Sequence, residues 1–329
     1  MLLDLSYVAV SVLILAKCAD WFVEGAVGVA EKLRLPHMLV GLVLVSLATT
    51  APELLTSLLA AMRGMPEAAL GNAVGSVVVN AAFALGLAAA LSVSPLPADP
   101  GVFRSSALVF GVAAGLAFLF SLDGELAQWE GVLLVLVYAA YVAWQYARLR
   151  AGRGEAEEGS LPAELEEDLE AVEQDIAGAG WGKTLALFGA GLLGVLLGSR
   201  LLLAGAEGIA AAMGMSSVVM GLTVTAIGTS VPEIATAATA ALKNRGGIGV
   251  GNIIGANILN ICWVAGLSAA VNPLAIGQTD VWFMFPAMFL VIGAMLLMLR
   301  QDYQLTRGNG VALLASGVAF YVALFVFVV

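Results

Sequence analysis

Apolar runs of about 20 residues, each closed by a short group of Pro, Gly and charged residues, recur along the whole chain. A helix of that length crosses the hydrocarbon core of a bilayer. Read against this punctuation, the sequence predicts ten helices, over residues 3–32, 37–62, 67–92, 102–121, 127–148, 182–212, 217–242, 247–271, 279–299 and 309–328. The breaks are marked by stretches such as "RLPH", "RGMP", "SPLPADPG" and "KNRGG". The predicted fold class is an all-α polytopic membrane protein with ten transmembrane helices. No charged segment precedes the first run and no small-residue cleavage site closes it, so it reads as a retained span and not a signal peptide.

Composition agrees: 61% of the 329 residues are hydrophobic and 12% charged, against about 25% charged in an average soluble domain. The two cysteines, Cys18 and Cys262, both lie in apolar runs and point to neither a disulfide framework nor a zinc site. The net charge of −10 has a single source, "EAEEGSLPAELEEDLEAVEQD" at residues 155–175. Basic residues set the expected orientation. With ten spans, Lys32, Arg34, Arg104, Arg148, Arg150, Arg153, Lys183, Lys243, Arg245, Arg300 and Arg307 share one side, and only Arg63 lies in a loop on the other. This puts the acidic loop in the cytoplasm and both termini outside, in a multi-pass protein of the cell membrane.

An internal repeat runs through the chain at one constant offset, the one that places Pro52-Glu53 on Pro232-Glu233. Without a gap it also aligns Gly41-Leu42 with Gly221-Leu222, Gly71-Asn72 with Gly251-Asn252, Asn80 with Asn260, and Gly86-Leu87 with Gly266-Leu267. Five spans fall in each half, and an odd number turns the second half upside down in the membrane. The expected organisation is a five-helix repeat over 1–150, an acidic cytoplasmic linker over 151–181 and an inverted five-helix repeat over 182–329. Secondary transporters share this plan, with the substrate near the midplane between the repeats.

The chemistry concentrates in "SLATTAPELLTS" (46–57) and "AIGTSVPEIATA" (226–237). A carboxylate at membrane depth is costly unless it is paired, protonated or facing water. Two in symmetric positions, Glu53 and Glu233, point to a cation site; a single one would also fit a protonated glutamate bonded between helices. Pro52 and Pro232 deprive the carbonyls of Ala48 and Gly228 of their helical partners. Thr49, Thr50, Thr229 and Ser230 add hydroxyls beside the glutamates, completing a set of hard oxygen ligands. Ser76, Asn80 and Asn260 lie on the helices that open with "GNAVG" and "GNIIG", where the small residues allow close helix packing. Asn72, Asn252 and Asn257 suit interhelical bonding as well as ligation.

"ATTAPE" and "GTSVPE", each followed by a "GNxxG…N" helix, resemble the two alpha-repeats of the calcium/cation antiporter superfamily, and most closely its prokaryotic sodium/calcium exchanger family. The resemblance implies exchange of Ca2+ for Na+ by alternating access, with no cofactor. It also implies that Ca2+ is held at Glu53, Glu233, Thr49 and Thr229. Sodium is then held by those glutamates, the hydroxyls of Thr50, Ser230 and Ser76, and the carbonyls of Ser46 and Ala226. The chain departs from the well-studied exchangers at Asn260, where they carry an aspartate, and at Ala256, where they carry a serine.

One Ca2+ neutralises two glutamates, as do two Na+ or two H+. This suggests a bundle of spans one and six that slides only when the site is neutral, and leaves a proton-coupled cation antiporter as the alternative. A cation channel could use the same glutamates but needs no inverted repeat. The chain has neither H-E-x-x-H nor G-x-S-x-G, which argues against an intramembrane enzyme. The expected partners are Ca2+, a monovalent counter-ion and the lipid bilayer, with no nucleic acid and no obligate protein partner. Asp20, Glu24, Arg200 and Glu207 are candidates for an ion-pair network between the sliding helices, and Lys17 is spaced to pair with Asp20.

Overall fold

The computed structural model describes residues 2–33, 37–152, 180–212 and 226–327. Their long helices are α1 (Leu2–Leu33), α2 (Ala51–Met62), α3 (Pro66–Val79), α4 (Gly86–Leu91), α5 (Pro100–Phe120), α6 (Gln128–Gly152), α7 (Trp181–Ala212), α8 (Val231–Leu242), α9 (Gly246–Leu259), α10 (Gly266–Val271), α11 (Gln278–Arg300) and α12 (Arg307–Phe327). Among the described residues, eight unbroken helical stretches are long and apolar enough to cross a membrane, and Gly41–Thr49 with Ala51–Met62 forms one more, bent by 50°. The span predicted over 217–242 is described only as the turn Ala226–Thr229 followed by α8. The acidic loop lies outside the described residues.

Local chemistry starts and stops these helices. Asp99 caps α5 by accepting a 2.7 Å hydrogen bond from the Val102 N–H, and Pro100 follows at a position where a missing N–H costs nothing. The turns after α2 and α8 use left-handed backbone at Gly64 (φ 72°) and Asn244 (φ 55°), residue types that tolerate it. Between α3 and α4, and again between α9 and α10, the helix continues through π-helical turns at Asn80–Leu85 and Asn260–Ala265. Such widened turns often mark functional sites.

The two continuous spans Pro66–Leu91 and Gly246–Val271 form the centre of the molecule. They are 72% and 83% enclosed by protein, against 22–33% for the other single spans. An inward position all round suits their content of Gly, Ala, Val and Ile, and the shared core runs through Val74, Val78, Leu85, Ile253, Ile258 and Ile261. The antiparallel pair α1 and α7 packs together along most of its length, Phe22 against Phe188 with ring centres 4.8 Å apart.

Equivalent elements recur at the repeat offset: α2 and α8, α3 and α9, and α4 and α10 match at both ends. Contacts between the halves are reciprocal. Gly25 sits so close to Phe188 that a Cβ would collide with the Phe188 backbone. Gly205, the repeat counterpart of Gly25, meets Val8, the counterpart of Phe188. Short strands follow the same rule. Strand β1 (Leu96–Pro97) pairs with β4 (Gln304–Leu305), matching Leu96 to Leu305. Strand β2 (Glu125–Leu126) pairs with β3 (Leu274–Ala275), matching Leu126 to Leu274.

Candidate cation site

Proline decides where each half breaks. A proline ring clashes with the carbonyl four residues back, and the backbone responds just before it. Thr50 has φ −76° and ψ −1°, and Ser230 φ −85° and ψ 6°. Helices α2 and α8 begin anew at these breaks, so Glu53 and Glu233 stand in their first turns. The helix dipole is positive at that end and favours a carboxylate. Both glutamates are fully buried, as are Ser46, Thr49, Ser76, Asn80, Ser230 and Asn260.

The side chains interlock across the halves. The Thr50 hydroxyl donates to Glu233 Oε1 at 3.2 Å, and the Ser230 hydroxyl donates to Glu53 Oε1 at 3.2 Å. Thr49 donates to Asn252 Oδ1 at 3.2 Å, and Thr229 to Asn72 Oδ1 at 3.3 Å. Every member of one pair is the other's counterpart in the repeat. The two acids are thus drawn to one locus.

Beyond these bonds the locus holds polar atoms with nothing to bond. Glu53 Oε2, Glu233 Oε2, Ser76 Oγ and both amide atoms of Asn80 and Asn260 are buried without a hydrogen-bond partner. Buried polar atoms are nearly always satisfied in a protein at rest, and the turns carrying Asn80 and Asn260 pack against α8 and α2, the helices that carry the two glutamates. Among the described residues no cluster of three or more His, Cys, Asp or Glu occurs. The donor set is two carboxylates with neutral hydroxyl and amide oxygens, which suits hard cations rather than zinc or copper.

A profile of the sodium/calcium exchanger protein family matches residues 4–147 and 183–329. The chain belongs to the sodium/calcium exchanger family. Its members are transporters and not enzymes. Curated relatives include the sodium/calcium exchanger MaX1 of Methanosarcina acetivorans, 27% identical, with 94% of this chain and 95% of that protein covered. The putative antiporter CaxA of Alkalimonas amylolytica is 31% identical, with 99% of each chain covered. Inner membrane protein YrbG of Escherichia coli is 32% identical, with 98% and 97% covered. Among solved structures, the sodium-calcium exchanger NCX_Mj soaked with Na+ and Ca2+ superposes with a TM-score of 0.79 at 26% identity, over 98% of this chain and 99% of that one.

In this exchanger-family chain, several sequence expectations take a different form. Ser46 turns its hydroxyl back to the Leu42 carbonyl, and its own carbonyl already accepts from the Thr50 N–H at 2.9 Å. Ala226 opens the described part of its segment, and the backbone before it lies outside the described residues. Asn72 and Asn252, read as suited to interhelical bonding or to ligation, take the first role and accept from the threonines of the opposite half. Ser57, absent from the expected set, fixes Asn72: it accepts from the Asn72 amide at 2.9 Å, and that amide also donates to the Glu53 carbonyl at 3.2 Å. Its counterpart is Ala237. Asp20 and Glu24 pair with Lys243 and not with Arg200. Glu207 lies among side chains outside the description, and Lys17 stands 4.0 Å from Asp20.

A cavity of about 110 Å³ reaches Thr50 from one side, lined by Leu47, Ala51, Leu54, Leu259, Trp263 and Val264. It lies toward the Val271 end of the Gly246–Val271 span. That end adjoins the end of α2, where Asn272 donates to the Ala61 carbonyl at 2.9 Å.

Proposed function

We infer that the chain is a secondary antiporter exchanging Ca2+ for Na+ across the membrane, and that the cation binds between Glu53 and Glu233. The observation carrying this reading is the pair of buried carboxylates, brought to one locus by reciprocal bonds and leaving their second oxygens unpartnered. Ca2+ takes six to eight oxygens, and the locus supplies them as Glu53, Glu233, Thr49 and Thr229. Na+ uses the same glutamates with Thr50, Ser230 and Ser76 and the carbonyls of Ser46 and Ala226. The amides of Asn80 and Asn260 complete the shell. Thr49 and Thr229 pass their hydroxyl hydrogens to Asn252 and Asn72, which turns their lone pairs toward the ion.

The reading includes ten spans in two inverted five-helix repeats over 1–150 and 182–329, joined by the cytoplasmic linker 151–181. Reciprocal contacts between repeat counterparts support this organisation, and the one-sided basic residues support termini outside. Two ionised carboxylates in a dry site repel each other and are poorly solvated. One Ca2+, two Na+ or two H+ neutralise them. The α1–α7 pair slides past the central spans only in a neutralised state, which makes exchange obligatory. Asn260 and Ala256 remove a charge and a hydroxyl relative to the best-known members, a change that bears on Na+ more than on Ca2+.

Reconstitution into proteoliposomes tests the reading. Ca2+ uptake under an imposed Na+ gradient is expected, and uptake driven only by a pH gradient moves the chain to proton coupling. Ca2+ flux needing no counter-ion in either case means a channel and sinks the antiporter.

A further inference from the structure

We propose that Lys243, Asp20 and Glu24 form an ionic latch that holds one end of the transporter shut while the other end admits ions. Lys243 Nζ lies 2.6 Å from Asp20 Oδ1 and 2.9 Å from Glu24 Oε1. Asp20 and Glu24 are one turn apart on α1, a member of the helix pair that slides in the function inferred above, on which this proposal rests. Lys243 caps the C-terminus of α8, whose first turn carries Glu233. The bond therefore ties the moving pair directly to a helix that carries half of the cation site.

Position gives the bond its meaning. Lys243 adjoins Gly246, where the central span begins. The cavity leading to Thr50 lies past the middle of that span, toward Val271. Latch and cavity stand toward opposite ends of that span, the arrangement required if closing one end accompanies opening of the other.

The halves are not alike here. At the repeat offset Asp20 corresponds to Arg200, Glu24 to Ala204 and Lys243 to Arg63. Two arginines and an alanine cannot make the same bond, so the opposite closure has no equivalent latch. A scaffold with equal halves would favour neither facing state, and one ion pair present on a single side breaks that balance.

The test uses the full chain in lipid nanodiscs and in proteoliposomes. Lys243→Gln is expected to speed hydrogen exchange at the backbone amides of 242–249 three- to fivefold, the size of effect a half-exposed ion pair supports, while Ca2+ still raises the melting temperature. The charge swap Asp20→Lys with Lys243→Asp restores protection. Arg200→Asp, at the repeat counterpart of Asp20, offers an acid to Arg63, the counterpart of Lys243, so as to install a latch on the other side, and shifts faster exchange to the 242–249 end. In a background with Cys18→Ala and Cys262→Ala, a disulfide between Asp20→Cys and Lys243→Cys leaves Ca2+ binding intact and stops transport until it is reduced. Unchanged exchange in Lys243→Gln, or transport continuing through the closed disulfide, overturns the latch. Absence of any Na+-driven Ca2+ uptake by the unmodified chain overturns the antiporter reading instead, and the exchange measurement in nanodiscs does not depend on it.

Discussion

Replacing Glu53 by Gln tests the central site with the least disturbance to the fold. The amide keeps an oxygen for the Ser230 hydroxyl now 3.2 Å away, and Glu53 takes part in no ion pair with a basic residue among the described residues. What changes is the charge of the loaded state. With two carboxylates one Ca2+ is neutralised; with one, a positive charge is left over in a fully buried position. An uncompensated charge at the centre of a membrane helix costs about 3 kcal/mol, and each 1.4 kcal/mol, about tenfold in affinity, makes this roughly a hundredfold. The half-saturating Ca2+ concentration for Na+-driven uptake of radiolabelled Ca2+ should rise by about that factor. The reciprocal bond from Thr50 to Glu233 requires Glu233→Gln to give an effect of similar size. A half-saturation for either variant within about threefold of the parent, under 1 kcal/mol, refutes the idea that both carboxylates hold the ion.

Two further substitutions separate binding from folding. Asn260→Leu removes two buried amide atoms that lack any protein partner, relieving a desolvation penalty of about 1–3 kcal/mol. Melting in ion-free buffer should be unchanged or higher, and the stabilisation produced by Na+ should shrink; a lower ion-free melting temperature would give Asn260 a structural role. Ser57→Ala breaks the bond that fixes Asn72 and should lower stability by about 1 kcal/mol and weaken Ca2+ binding severalfold. Ala237→Ser supplies the missing partner to Asn252 in the other half and should do the reverse, both measured by Ca2+-dependent thermal shift.

Glu53 and Glu233 were legible in the sequence because an acid in an apolar run is conspicuous, and the proline before each explains how the backbone opens beside it. Among the described residues, eight spans and the bent ninth were legible because lipid forces the backbone to satisfy itself within helices. Tertiary pairing was not. Nothing in the spacing of Asn72 and Thr229, 157 residues apart, says that one accepts the other's hydroxyl. The same holds for Lys243 and the acids of α1: the order of the spans offers Arg200 as a partner and not Lys243, and the choice depends on which helix end lies across Asp20. The π-helical turns at Asn80 and Asn260 likewise escape a reading based on the ordinary helical period, since one widened turn leaves the hydrophobic pattern nearly unchanged.

The two halves share a backbone plan, yet their side chains differ at several buried positions. Ser57 corresponds to Ala237, Val77 to Asn257, and Ser76 to Ala256 at the repeat offset. The second half accordingly carries the larger share of buried polar atoms without partners: Thr236 Oγ1, the Asn252 amide nitrogen, both amide atoms of Asn257 and Ser268 Oγ, in addition to those of Glu233 and Asn260. Glu53 and Asn80 match Glu233 and Asn260 in this respect, but the counterparts of the others are bonded (Asn72), apolar (Val77 and Ala88) or absent from that set (Thr56). In the function inferred above, equivalence of the glutamates sets the charge to be neutralised, and the unequal neutral oxygens bias where smaller cations settle around them. On that reading, the shared pair of acids and the unequal neutral oxygens together would let one site take two kinds of cation.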